Sequence, residues 1–391
     1  MNGLRDELYW IWLQLVFGVA NYRTDEVLKS YPNPKDIFES DICELEKSQC
    51  FTLNELKKIK DTKLNEAESR LYKALEYGCK IITPSSCEYP ERLKNINAMP
   101  LTLYVDGDIS DIDNRLAIAM VGTRDLTIYG KKAAEMLARD LVCAGAVIVS
   151  GLAKGIDAVC HAAALKAGGK TIAVQGCGLD VVYPAQNREL KRLIAGNGAV
   201  VSEYPIGTPS LAHNFPVRNR IISGLSLGVA VVEAGEKSGS LITAGHALTQ
   251  GRDVFAVPNE IFEKTNYGAN KLIKQGAKLV TCADDILEEY THIFSDKILK
   301  NHTPAQFDNN INTKITADGL CGNISAGKKP PAPNYLTKSQ LLIYNVLSDK
   351  PVGVDEICGA SGLMINEVLS AMTELEIYGL ATALPGRKYT I

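Results

Sequence analysis

The residues best suited to chemistry lie in one stretch, 214–244. NFPVRNR sets Phe215 among Arg218, Asn219 and Arg220. An aromatic face beside guanidinium groups suits a ligand carrying both bases and phosphates. An apolar run, 227–232, comes next, then GEKSGS with Ser238, Gly239 and Ser240, then a helical pattern over 241–250. A buried strand, a Gly/Ser turn and a helix start present backbone N–H groups at the positive end of a helix dipole, which is an anion site. The arrangement recurs upstream. Gly122-Thr123-Arg124 ends one apolar run. GLAKGID, with Gly151, Lys154, Gly155 and Asp157, ends a second. GCGLD, residues 176–180, ends a third and leads into Tyr183-Pro184. Glycine at one such turn has a steric explanation, whereas four turns on one sheet edge build a continuous surface of backbone donors. Arg124, next to a strand end, reads as a phosphate clamp. Phe215 is expected at the surface, because burying it would also bury its flanking arginines without partners.

No classical dinucleotide fingerprint is present: Gly176 and Gly178 begin one, but position 181 is Val. GNISAGKK at 322–329 approaches a P-loop, yet Lys329 stands where a magnesium-holding Ser or Thr belongs. It reads as solvated linker. The five histidines, His161, His213, His246, His292 and His302, assemble into no catalytic set, and His161 reads as structural, in mid-helix. Asp157 and Asp180 follow glycine turns, where Asp caps helices or fixes loops. The ten cysteines include no CxxC pair, so neither a zinc site nor a disulfide framework follows. No metal and no cofactor is expected.

The elements that must position these residues follow from length and periodicity. At 391 residues with 46% hydrophobic and 22% charged content, the chain is globular and longer than one typical domain. A net charge of −3 gives no global attraction to nucleic acid, so any such binding must use a local cleft. The apolar stretch 8–20 is too short to span a bilayer, and Asp6 and Glu7 weaken a signal-peptide reading. It is expected as a buried helix of a cytoplasmic protein. Residues 1–78 read as a small helical domain. Over 79–298, strands at 116–121, 146–149, 171–174, 199–202, 227–232, 254–257 and 278–280 alternate with helical patterns. That alternation predicts an α/β fold with a doubly wound parallel sheet, whose ligands bind at the carboxyl ends of the strands. Residues 299–334, ending in KKPPAPN, read as a polar linker. Residues 335–391 predict helices at 338–347, 354–358 and 365–378, then a hairpin of 380–384 with 388–391, which is a winged helix. From Leu336 this unit holds four basic and six acidic residues, a net charge of −2, and its third helix has no Lys or Arg. A surface of that sign repels phosphates, so a protein-contact or regulatory role is expected.

SGLAKGID, GCGLDVVYP, NFPVRNRIISG, VVEAGEKSGSLITA and GRDVFAVP occur in the order found in the DprA (DNA-processing protein A, Smf) family, which the chain resembles over 79–290. The resemblance implies an extended Rossmann-like core, a SAM- or helix-hairpin-helix-like N-terminal domain and a winged-helix C-terminal domain. It implies a non-enzymatic protein that binds single-stranded DNA without sequence preference and loads RecA onto it in natural transformation, displacing single-strand-binding protein. It implies a homodimer. The family's DNA-binding motifs fall on Gly122, Thr123, Arg124, Phe215, Arg218 and Arg220. Its dimer stretch falls on Ile273 and Leu279 of LIKQGAKLV, and Leu248 is placed on the same face. The chain departs from the family at Asn259, where glycine is usual after FAVP, so the loop 260–267 is expected to differ in shape. The rival reading, a nucleotide phosphoribohydrolase-like enzyme, needs an acidic residue in the helix following the glycine turn; 240–250 contains none.

Overall fold

The computed structural model of the chain describes residues 3–261, 267–294, 336–347, 352–377, 381–384 and 388–390. It divides into two compact units, Met1–Leu320 and Cys321–Ile391. The predicted linker 299–334, with its P-loop-like segment, lies outside the described residues.

The first unit opens with six helices: α1 (Gly3–Phe17), α2 (Arg23–Ser30), α3 (Pro34–Glu39), α4 (Ile42–Lys47), α5 (Leu53–Asp61) and α6 (Leu64–Tyr77). The apolar stretch is indeed a buried helix. Trp10, Ile11, Trp12, Leu13 and Val16 of α1 are all inaccessible, as a helix apolar on every side must be. The Trp12 indole donates to the Thr62 carbonyl at 3.0 Å. A capping box of Thr52 and Glu55 starts α5, and Gly78, at φ +88°, ends α6. The core of these helices runs on through Leu101, Tyr104, Leu179 and Val200 of the layer that follows.

That layer comprises β1 (Lys80–Ile82), α7 (Glu91–Lys94), β2 (Leu103–Gly107), β3 (Ala117–Gly122), α8 (Ile128–Cys143), β4 (Val147–Ser150), α9 (Ile156–Lys166), β5 (Thr171–Gln175), α10 (Arg188–Asn197), β6 (Ala199–Ser202), α11 (Asn214–Gly224), β7 (Gly228–Glu233), α12 (Ser240–Thr249), β8 (Asp253–Ala256), α13 (Tyr267–Lys274), β9 (Lys278–Leu279) and α14 (Asp284–Leu287). All seven predicted strands are present. The sheet order is β1-β2-β6-β5-β4-β3-β7-β8-β9. Strands β3 to β9 pair in parallel; β2 joins β6, and β1 joins β2, antiparallel. The segments Lys80–Ile82 and Leu103–Gly107, which precede the alternation, therefore extend the same sheet, with β1 at its edge.

The long apolar runs have a simple cause. In β3, Ala117, Ala119 and Val121 face one core, while Ile118 and Met120 face the other. A strand covered on both sides alternates between two apolar layers and shows no polar phase. From β3 the chain winds outward through β4, β5 and β6. It then returns to place β7 on the other side of β3 and winds away through β8 and β9. The carboxyl ends of β3 and β7 thus form the topological switch point, where open sheets of this kind bind ligands.

The second unit comprises α15 (Lys338–Val346), β10 (Val352–Gly353), α16 (Val354–Ser361), α17 (Ile365–Ile377), β11 (Thr382–Leu384) and β12 (Lys388–Thr390). β12 pairs antiparallel with β10 and β11. Ile343, Tyr344, Ile357, Val368, Met372 and Leu375 fill its core. This is the predicted winged helix, with one short strand, β10, added. No helix among the described residues is long and apolar enough to cross a membrane, and the described cysteines are free.

Candidate nucleic-acid interface

A cleft of about 790 Å³ opens at the switch point. Gly122, Thr123 and Arg124 line it together with Phe215, Arg218 and Asn219 of α11 and with Lys237, Ser238, Gly239 and Ser240. Most of the sequence-predicted residues, drawn from turns far apart in the chain, therefore meet in one place.

The four glycine turns do not contribute equally. The first and fourth line the cleft. The second lies behind the first. Gly155 has φ +90°, and a Cβ there would come within 2.3 Å of the Thr123 carbonyl oxygen. The Ile156 amide donates to that oxygen at 3.2 Å, and the Thr123 amide donates to the Glu233 carbonyl at 2.8 Å. Glycine at 155 is what lets these loops touch. Ala153 and Asp157 are the residues of the second turn that reach the cleft lining. Lys154 is exposed and pairs with Asp125 at 3.2 Å. The third turn underlies Phe215, whose Cδ1 lies 3.2 Å from the position of a Cβ on Gly176. In the fourth turn Ser238 and Ser240 hydroxyls meet at 2.8 Å, and the Ser238 amide donates to the Gly235 carbonyl. No side chain caps α12.

Phe215 is partly exposed. The Arg124 guanidinium carbon lies 5.7 Å from its ring centroid and that of Arg218 5.8 Å, both in cation–π range. The Tyr183 ring stands 5.2 Å away, tilted by 39°. Arg124 is exposed, and no carboxylate among the described residues lies within ion-pair distance of it. Lys237, also exposed, is a second cation of the cleft lining.

The other two arginines are buried rather than exposed, although Arg218 still lines the cleft. Arg218 is buried, with Nη1 donating to the Gly151 carbonyl at 2.8 Å and to the Val174 carbonyl. Burial pulls its pKa down to about 10, against the opposing effect of Asp157. Asp157 accepts from the Gly151 and Ala153 amides at 3.2 and 3.3 Å. Burial raises its pKa, and Arg218 and those amides work the other way. A Cβ on Gly151 would sit 2.6 Å from Arg218 and 2.7 Å from Asp157, so glycine here leaves room for the pair. Arg220 does not reach the cleft. It is 3% exposed, and Nη2 donates to both carboxylate oxygens of Glu203 at 2.7 and 2.6 Å. Both arginines hold α11 against the sheet, and α11 carries Phe215. The premise that these guanidinium groups lacked partners was the error, since the partners are carbonyls and a carboxylate remote in sequence.

Among the lining residues that the sequence reading does not assign to the site, Tyr183 and Lys237 carry side chains suited to it. Tyr183 had a visible signal, an aromatic directly after a glycine turn at a strand end. Lys237 lay within GEKSGS but was passed over for the small residues around it. His161 is structural as expected: it is buried, its Nδ1 lies 2.7 Å from the Thr171 hydroxyl, and burial depresses its pKa to about 3. At Asn259 the side-chain oxygen accepts from the Glu260 amide at 2.7 Å, and Asn270 bridges the Asn259 amide and carbonyl. The following residues 262–266 lie outside the described residues.

The far end of the sheet carries the remaining predicted face. Leu248 and Leu279 are exposed by 64% and 45%, and Ile273 is partly buried. Leu248 borders a depression of about 350 Å³ beside the edge strand β9.

The family model for DNA recombination-mediator protein A matches residues 80–291, and that for the DprA winged helix domain matches residues 327–387. The DNA processing protein DprA of Bacillus subtilis is 48% identical over 214 residues, spanning 55% of this chain and 72% of that protein. The solved structure of DNA processing protein A from Streptococcus pneumoniae superposes with a TM-score of 0.63 at 37% identity, covering 71% of this chain and 95% of the other. That of DNA processing protein A from Helicobacter pylori gives a TM-score of 0.50 at 32% identity, covering 55% and 97%. Since the first model alone spans more than half of the sequence, cleft and switch point included, the chain belongs to the DprA/Smf family of DNA-processing, recombination-mediator proteins.

Proposed function

We propose that the switch-point cleft binds single-stranded DNA without sequence preference and without hydrolysing it. The observation that carries this reading is Phe215, partly exposed in the cleft between the guanidinium group of Arg124 and the Tyr183 ring. A ring so placed stacks an unpaired base whatever its identity, and flanking cations hold the phosphates. The Helicobacter pylori relative is described by its single-stranded DNA binding mode, which supports the same assignment here. The cleft carboxylates favour binding over catalysis: Asp125 pairs with Lys154, and Asp157 is held by two amides. The reading extends to RecA loading in natural transformation, with displacement of single-strand-binding protein, by a cytoplasmic homodimer.

Arg124→Ala tests the clamp. Each phosphate contact on a single strand contributes about 0.7 to the slope of log K against log salt. The variant is expected to bind oligo-dT more weakly and with a slope shallower by about that amount. An unchanged slope would make Arg124 structural.

The dimer interface of this reading uses Leu248, Ile273 and Leu279, next to β9, which among the described residues is paired on one side only. Ile273→Glu combined with Leu279→Glu should give a monomer by light scattering, with the circular dichroism of the parent. A persisting dimer would put the interface elsewhere.

A further inference from the structure

Tyr183 stands on the loop between β5 and α10, residues 176–187. A side chain on a loop keeps its place in a site only if other groups hold that loop. The Leu179 carbonyl, in the middle of the loop, accepts from the Tyr77 hydroxyl at 2.9 Å and from the Lys191 ammonium. The same ammonium donates to the Val181 carbonyl at 3.4 Å. Lys191 lies on α10 and is 6% exposed. A buried ammonium is costly unless it is hydrogen-bonded, and this one directs its bonds to two carbonyls of one loop. Tyr77 is the last residue of α6. The Leu179 side chain is buried in the core of the N-terminal helices. Further along, Asn187 donates to the Leu152 carbonyl of the second glycine turn at 2.9 Å. One part of the loop is thus packed under the N-terminal helices, while Tyr183, a few residues on, lines the cleft with its ring 5.2 Å from that of Phe215.

We propose that the N-terminal helices set the geometry of the cleft through this loop. Tyr77 and Lys191 are positioning residues: they hold the Leu179 carbonyl, and with it the backbone that places Tyr183 beside Phe215. Neither side chain lines the cleft itself, so both act through Tyr183. The inference rests on the single-strand reading of the cleft and deepens it, because a base stacks only where the aromatic faces are correctly spaced. Loss of either donor lets the loop depart from that spacing while the sheet and α11 stay as they are.

The experiment uses the full chain, labelled oligo-dT and Tyr77→Phe, which keeps the ring and removes the hydroxyl. The variant should bind oligo-dT about three- to tenfold more weakly, the scale of one lost hydrogen bond. In a Tyr183→Ala background the same substitution should cost nothing further, because the loop then carries no ring to place. A merely structural Tyr77 would weaken both backgrounds alike. Hydrogen exchange of the DNA-free chain over 178–183 should quicken in Tyr77→Phe and in Lys191→Met, which removes the second donor. Unchanged affinity, equal losses in the two backgrounds, or unchanged exchange over 178–183 would each overturn the inference. The exchange measurement uses no DNA and so separates the two possible failures. Faster exchange in the variants of a parent that does not bind oligo-dT would overturn the single-strand reading, and with it the role of the loop in binding.

Discussion

Arg220→Met is expected to destabilise the first unit by about 3–5 kcal/mol, the cost of leaving a buried charge without its partner. The charge left behind is Glu203, 2% exposed and bonded through both oxygens to Arg220. Burial already raises the Glu203 pKa, and Arg220 is the largest influence opposing that rise. Without the guanidinium group the carboxyl takes up a proton more readily in the folded state than in the unfolded one. A group whose folded pKa lies above its unfolded value costs stability as pH rises past the unfolded pKa. The deficit of the variant should therefore shrink as pH falls from neutrality toward the carboxylate range, and Glu203→Gln added to Arg220→Met should recover part of it. Urea unfolding at several pH values measures this. The folded variant should keep oligo-dT affinity within about twofold, roughly 0.4 kcal/mol, because Arg220 does not line the cleft. Parental stability with weakened DNA binding would return Arg220 to the DNA surface.

Phe215→Ala is expected to cost about 1–3 kcal/mol of single-strand affinity, the value of one stacked base. The loss should be near-uniform across oligo-dT, oligo-dA and mixed sequences, since every base offers a π face. It should also be nearly independent of salt, in contrast to Arg124→Ala, because stacking releases no counterions. Phe215→Trp should retain most of the affinity. Competition titrations with labelled oligonucleotides distinguish these outcomes, and an unchanged dissociation constant for Phe215→Ala would remove the ring from the site.

The sheet was legible because a doubly covered strand writes its burial on every residue, as in β3 and β7. The cleft was legible because glycines and short polar residues recur at the ends of those strands. The antiparallel strands β1 and β2 were not, since segments as short as Lys80–Ile82 carry no periodicity of their own. The burial of Arg218 and Arg220 was not legible for a different reason. The rule that buried charge needs partners was sound, but the partners are Gly151, Val174 and Glu203, brought to α11 by the fold. Tyr183 reaches Phe215 only because the loop after β5 passes over α11, a contact between residues with no sequence relation. The helices of the C-terminal unit were legible because each carries its own periodic signal, as over 338–347 and 365–378.

The most direct measurement is fluorescence anisotropy of the full chain with labelled oligo-dT and with a matched duplex, across a salt series. Binding to oligo-dT should be at least about tenfold tighter than to duplex at physiological salt, because stacking on Phe215 requires an unpaired base. Its affinity should fall with salt as the cleft cations release counterions. Equal or tighter binding of the duplex, or oligo-dT affinity that does not respond to salt, would contradict a single-strand cleft at the switch point.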